Sequence, residues 1–109
     1  NAEKAIEIQK YIDENEVVLF MKGSARMPQC GFSAVVAQIF DRLELKYKDV
    51  NLLEDYELGQ ELKNYSDWPT FPQIYIKGEF IGGCDITKEM YLSGELQELL
   101  RQKNIEFKQ

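Results

Sequence analysis

Two thiols carry most of the chemistry open to this chain, because none of its 109 residues is histidine. That absence removes Ser-His-Asp and Cys-His nucleophile pairs, imidazole metal sites and the usual pH switch. Cysteine occurs at Cys30 and Cys84 only, too few for a disulfide framework or for a four-thiolate metal site within one chain. A reactive free thiol is the leading expectation. Cys30 begins the segment Cys30-Gly31-Phe32-Ser33 at the expected start of a helix, where unpaired backbone N–H groups and the positive end of the macrodipole favour a negative sulfur. Lys22 adds a candidate cation. A free thiol with a pKa of about 8.5 is only slightly ionised at neutral pH, whereas helix N-termini and nearby cations bring it to about 3.5–7.5. The alternative, a buried and inert cysteine, sits badly between Gln29 and Gly31. Ser33 occupies the position where a second cysteine would close a local disulfide. Resolving a mixed disulfide therefore falls to an external thiol or to Cys84, by either route more slowly than in a C-x-x-C exchange. Ser33 is expected to do no more than cap the helix.

The elements that must position Cys30 follow from apolar spacing. Ala5, Ile8, Tyr11 and Ile12 recur at helical intervals, which predicts an amphipathic helix over 2–15. Val17 to Met21 is a solid apolar run without alternation, as in a central strand covered on both faces. A loop from Lys22 through Pro28 leads to a helix over 31–43. A strand at 47–50 and a short helix over 55–65, weakened by Gly59, come next. Gln73 to Ile76 and Glu79 to Ile81 alternate around Lys77-Gly78, a two-residue hairpin turn. Asp85 is expected to cap a helix ending at Gly94, and Leu96, Leu99 and Leu100 give a last amphipathic turn or two before a polar tail. The order predicts one α/β domain over residues 1–109: a four-stranded mixed sheet flanked by helices on both faces, with an extra N-terminal helix.

Composition narrows the partners. The 13 basic and 19 acidic side chains leave a net charge of -6, which disfavours phosphate backbones and anionic lipid, so neither nucleic acid nor a membrane surface is expected. Val17 to Met21 is far short of the roughly 20 apolar residues a membrane span needs. The first residue is Asn1 rather than Met, so a removed upstream tag, targeting peptide or domain is allowed for.

Met21-Lys22-Gly23, Cys30-Gly31-Phe32-Ser33, Trp68-Pro69-Thr70-Phe71-Pro72-Gln73 and Gly82-Gly83-Cys84-Asp85 stand in an order and spacing that resembles the monothiol glutaredoxins of the CGFS type. The likeness runs over nearly the whole chain. It implies a thioredoxin-like fold that binds glutathione and, as a homodimer, a bridging 2Fe-2S cluster passed to other proteins, with a monomer as the apo state. A 2Fe-2S cluster takes four ligands, usually thiolates, and one chain has one clearly poised sulfur. Two copies of Cys30 and two glutathione thiols complete the set, so cluster, tripeptide and dimer are linked. The competing activity is thiol exchange on glutathionylated proteins with Cys30 as sole nucleophile, expected to be weak, which makes the chain mainly a carrier rather than an enzyme. A third possibility is a regulatory domain cut from a longer protein.

By the same resemblance, Lys22 holds the glycyl carboxylate, against the ordinary reading of a solvated loop lysine. Pro72, cis in the family pattern, turns the Phe71 backbone toward the tripeptide, while Cys30, Gly31 and Phe32 border its thiol. Gly82 and Gly83 permit close backbone approach, and the Cys84 N–H and the Asp85 carboxylate meet the γ-glutamyl end. Cys84 remains open between a small core residue, a resolving thiol and a backbone donor with an idle side chain. Trp68 is expected to be core. Many family members carry an arginine where this chain has Gly59, and neither Gln60 nor Lys63 surely replaces a bidentate clamp, so glutathione affinity is expected to fall by about 1–2 kcal/mol. BolA-type proteins and iron-sulfur acceptor or assembly proteins are the implied partners. The implied location is a reducing compartment, the mitochondrion in a eukaryote or the cytoplasm in a bacterium.

Overall fold

The computed structural model describes residues 1–109. Strand β1 (Val17–Met21) is buried along its whole length. Its residues alternate between two cores: Val17, Leu19 and Met21 face one cluster with Val36, Phe40, Leu96 and Leu100. Val18 and Phe20 face the other, with Ile8, Ile12, Leu58 and Leu62. Two apolar faces explain the uninterrupted run, since a strand covered on both sides has no polar phase. Each fully buried Leu or Phe of this kind contributes about 1.5–3 kcal/mol by leaving water.

Around β1 the sheet has the order β2-β1-β3-β4, where β2 is Lys48–Asn51, β3 Gln73–Ile76 and β4 Glu79–Gly82. β2 runs parallel to β1, while β1 with β3 and β3 with β4 are antiparallel. Helices α2 (Gly31–Arg42) and α5 (Glu95–Gln102) cover one face, and α1 (Ala2–Glu14) and α3 (Tyr56–Ser66) the other. Helix α4 (Cys84–Ser93) follows β4 and stops at Gly94. This is the thioredoxin-like arrangement with an N-terminal helix, as expected.

Helix α1 is fastened to α3 by charge. The Asn1 side chain caps the Glu3 and Lys4 N–H groups, the terminal amine pairs with Glu61, and Lys4 Nζ meets Asp55 at 2.6 Å. Asp55 also caps α3 through the Leu58 N–H. The Lys4 hydrogen bond, more than that cap, holds its carboxyl below the usual range.

Four local expectations are corrected. The second strand begins at Lys48 rather than Tyr47, because the Tyr47 ring packs edge-on against Phe40 at 5.1 Å and its hydroxyl donates to Asp41. A 3-10 turn (Leu52–Glu54), capped by Asn51, follows that strand; three residues are too few to show periodicity. Asp85 lies in the first turn of α4 but does not cap it, and Gly83 holds the cap position without a side-chain bond. The tail after α5 is not simply polar: Ile105 is buried, the Lys108 N–H donates to the Leu43 carbonyl, and Phe107 lies beneath Arg101.

Candidate functional site

Strand β1 ends at Met21 and delivers Lys22 to the surface, where the chain turns back toward α2. Gly23 makes the turn with φ +87, and a Cβ there would stand 2.5 Å from both the Gln29 nitrogen and the Met27 carbonyl oxygen. No other residue fits without opening the loop. The Gln29 N–H donates to the Lys22 carbonyl at 2.9 Å, which sets Cys30 at the mouth of α2 as its N-cap. No side chain caps that helix, so its first-turn N–H groups are free for the sulfur. Ser33 is not the cap: it is fully buried, and its Oγ accepts the Lys22 N–H at 3.1 Å, joining the lysine to the helix of the thiol.

Cys30 is partly exposed and free. Its thiol is pulled below the ordinary value, chiefly by the Ser33 backbone N–H, then by the Phe32 N–H, the Lys22 charge and the Ser33 hydroxyl, against partial burial. The charge-stabilising sources are the ones helix-end physics supplies to a thiolate.

Cys30 opens into a cleft of about 890 Å³, large enough for a tripeptide. Lys22, Cys30, Phe32, Phe71, Gly83, Cys84 and Asp85 all line it. Gly31 sits beside it as the exposed first residue of α2, and Pro72 is buried behind Phe71. The Phe71–Pro72 peptide is cis. Phe71 lies outside every helix and strand, and neither its N–H nor its C=O finds a backbone partner. Gly83 packs closely on the Pro72 segment, where a Cβ would lie 3.3 Å from the Pro72 carbonyl oxygen and 3.6 Å from Trp68 Nε1. Asp85 and the uncapped N–H groups of α4 form one end; Lys22 and Lys63 supply the cations.

Several lining residues were not assigned from sequence. Lys63 reaches the wall from α3, its Nζ 5.2 Å from the centre of the Phe71 ring. Gly59 lies one turn earlier on the same wall. That i, i+4 spacing was the available signal for Lys63. Trp68, expected as core, lines the cleft and packs edge-on against Phe80, and its indole N–H is buried without a partner. Of the eight exposed large apolar side chains, four line this cleft: Phe32 (62%), Leu53 (58%), Tyr56 (77%) and Ile86 (39%).

Comparison with known proteins agrees with this geometry. The family model described as Glutaredoxin matches residues 17–81. The chain belongs to the glutaredoxin family. It is 54% identical over 94 residues, 86% of this chain and 85% of the relative, to a probable monothiol glutaredoxin 2 of Rickettsia typhi. The solution structure of reduced poplar apo GrxS14 superposes with a TM-score of 0.79 at 55% identity, covering 89% of each chain. The crystal structure of a buckwheat glutaredoxin-glutathione complex superposes with a TM-score of 0.85 at 25% identity, over 96% of this chain and 94% of that one. With Ser33 in the fourth position, this is a monothiol glutaredoxin. No helix is long and apolar enough to cross a membrane.

The two thiols of this glutaredoxin differ in environment. Cys84 packs partly against the α2 core, and burial first, then the charges of Asp85 and Cys30, push its pKa up. Alkylation by iodoacetamide followed by peptide mass spectrometry should therefore give a lower midpoint pH for Cys30 than for Cys84. Near neutral pH, label should accumulate on Cys30 first. Equal midpoints would remove the argument from the helix end.

Proposed function

We propose that this glutaredoxin binds glutathione in the cleft and, as a homodimer, holds a 2Fe-2S cluster between two chains for delivery to other proteins. The observation that carries the reading is one ionisable thiol set among groups complementary to a zwitterionic tripeptide. The free N–H and C=O of Phe71 suit an extended peptide bond. The uncapped start of α4 suits a carboxylate, and Lys22 and Lys63 suit a second one. Asp85 suits the ammonium. That the buckwheat relative was crystallised with glutathione supports the reading.

The donor set points to a shared cluster. No group of three or more His, Cys, Asp and Glu side chains in one chain could hold a metal ion. Two copies of Cys30 and two glutathione thiols supply four sulfurs, the usual complement. Phe32, Leu53, Tyr56 and Ile86, exposed apolar side chains that line the same cleft as the thiol, give a second copy a surface to cover. In this reading BolA-type proteins and iron-sulfur acceptor or assembly proteins take the cargo, in a compartment reducing enough to keep both thiols free.

Anaerobic reconstitution with iron and sulfide tests the proposal, read by visible absorption and size-exclusion chromatography. Visible bands and a dimer are expected with glutathione, and a colourless monomer without it. Cluster retained in the absence of glutathione would overturn the shared-ligand reading. A second activity is favoured by the partial exposure and lowered pKa of Cys30: attack on a glutathionylated protein. The Cys30 thiolate forms a bond to the glutathione sulfur and the client thiolate leaves. A second glutathione thiolate then displaces Cys30 and departs as the disulfide.

A further inference from the structure

A single side-chain oxygen joins two neighbouring segments that line the cleft. Asn51, the last residue of β2, accepts through Oδ1 the Gly23 N–H at 3.0 Å and the Leu53 N–H at 3.0 Å. Gly23 follows Lys22 in the chain, and Lys22 and Leu53 both line the cleft. A carbonyl oxygen has two lone pairs, so it can hold both donors at once; both are spent here between two cleft segments. The Asn51 Nδ2 faces Glu54 on the same 3-10 turn at 3.4 Å. Lys22 is thus bracketed, its own N–H held by Ser33 from the helix of the thiol and the next N–H held by Asn51 from the end of the neighbouring strand. Asp49, two residues back on β2, gives a contrast: its Oδ2 accepts the Ala25 N–H at 2.8 Å and pins only the loop, away from the lining.

We infer that Asn51 is a positioning residue for thiol-ligand binding, fixing through its two backbone donors the separation between Lys22 and the Leu52–Leu53 wall. The inference rests on the proposed glutathione binding. Asn51 touches no ligand in this account; it acts by keeping the carboxylate anchor in register with the rest of the cleft. Losing that bond loosens the Gly23 turn against Leu53 while β1 and β2 stay paired up to Met21 and Asn51, so part of the cost of ordering them then falls on ligand binding.

Glutathione titrations by calorimetry on Asn51→Ala and Asp49→Ala test it, each checked for native circular dichroism. Asn51→Ala should raise the glutathione Kd by about three- to tenfold. In exchange assays KM should rise with little change in kcat, since Cys30 and its helix are untouched. Asp49→Ala, which frees only the Ala25 loop, should bind close to wild type. Unchanged affinity in Asn51→Ala or an equal loss in Asp49→Ala would overturn the role. A wild type that fails to bind glutathione at all would instead remove the functional reading, and this inference with it. Amide exchange on the wild type gives a variant-free check: Gly23 and Leu53 share one acceptor, so glutathione should slow both by a similar factor. Protection of one without the other would count against the bridge.

Discussion

Replacing Cys30 with serine should abolish cluster binding and thiol exchange together. The sulfur is the one group in the cleft that is both partly exposed and drawn toward its ionised form. A serine hydroxyl stays protonated at neutral pH, so it neither attacks a disulfide nor ligates iron as a soft donor. Exchange against a glutathionylated peptide should drop by several orders of magnitude. Reconstituted protein should lack visible bands and elute as a monomer. The fold should persist, because Cys30 caps α2 without any side-chain bond that the hydroxyl would lose. Cys84 should not rescue either activity: its thiol is pushed toward the neutral form by burial. Cluster in Cys30→Ser would mean that other ligands hold it, and residual exchange would make Cys84 the nucleophile.

Gly59→Arg should tighten glutathione binding. Gly59 faces the cleft from α3, one turn before Lys63. A Cβ there would meet only the Phe71 ring at 3.4 and 3.6 Å and the Leu52 Cβ at 3.9 Å, ordinary contacts. A guanidinium built outward from that point can add a bidentate partner for a carboxylate beside Lys63. The expected gain is about 1–2 kcal/mol, roughly five- to thirtyfold in Kd by calorimetry. Helix propensity changes too, since glycine inside a helix costs about 0.8–1 kcal/mol relative to alanine. Gly59→Ala separates the effects: it should raise the unfolding midpoint and leave affinity near wild type. Equal affinity in all three proteins would show that Lys22 and Lys63 already satisfy the carboxylate.

Much of this molecule was written in the order of residue types. The unbroken run from Val17 to Met21 required a strand covered twice, because nothing polar in it could face water, and the two cores meet on either side of it. Gly78 and Gly94 located the hairpin and the end of α4, and the missing histidines left sulfur as the reactive group. Seven of the nine residues assigned to the ligand from sequence do line one cleft. The short 3-10 turn was not legible, nor was the placement of Tyr47, since three residues show no period and an aromatic beside a strand does not announce which way its ring turns.

Sequence alone determined that a single ionisable sulfur would stand at a helix mouth, because that follows from local spacing and from which side chains are absent. Tertiary structure decided which distant residues share its cleft. Lys63 comes to the site over Phe71, Trp68 turns from core to lining, Ser33 holds Lys22, and Asn51 ties Gly23 to Leu53. Such pairings span many residues along the chain and depend on how the sheet and helices close in space. Local periodicity reports which face of an element is apolar; it carries no information about which other element that face will meet.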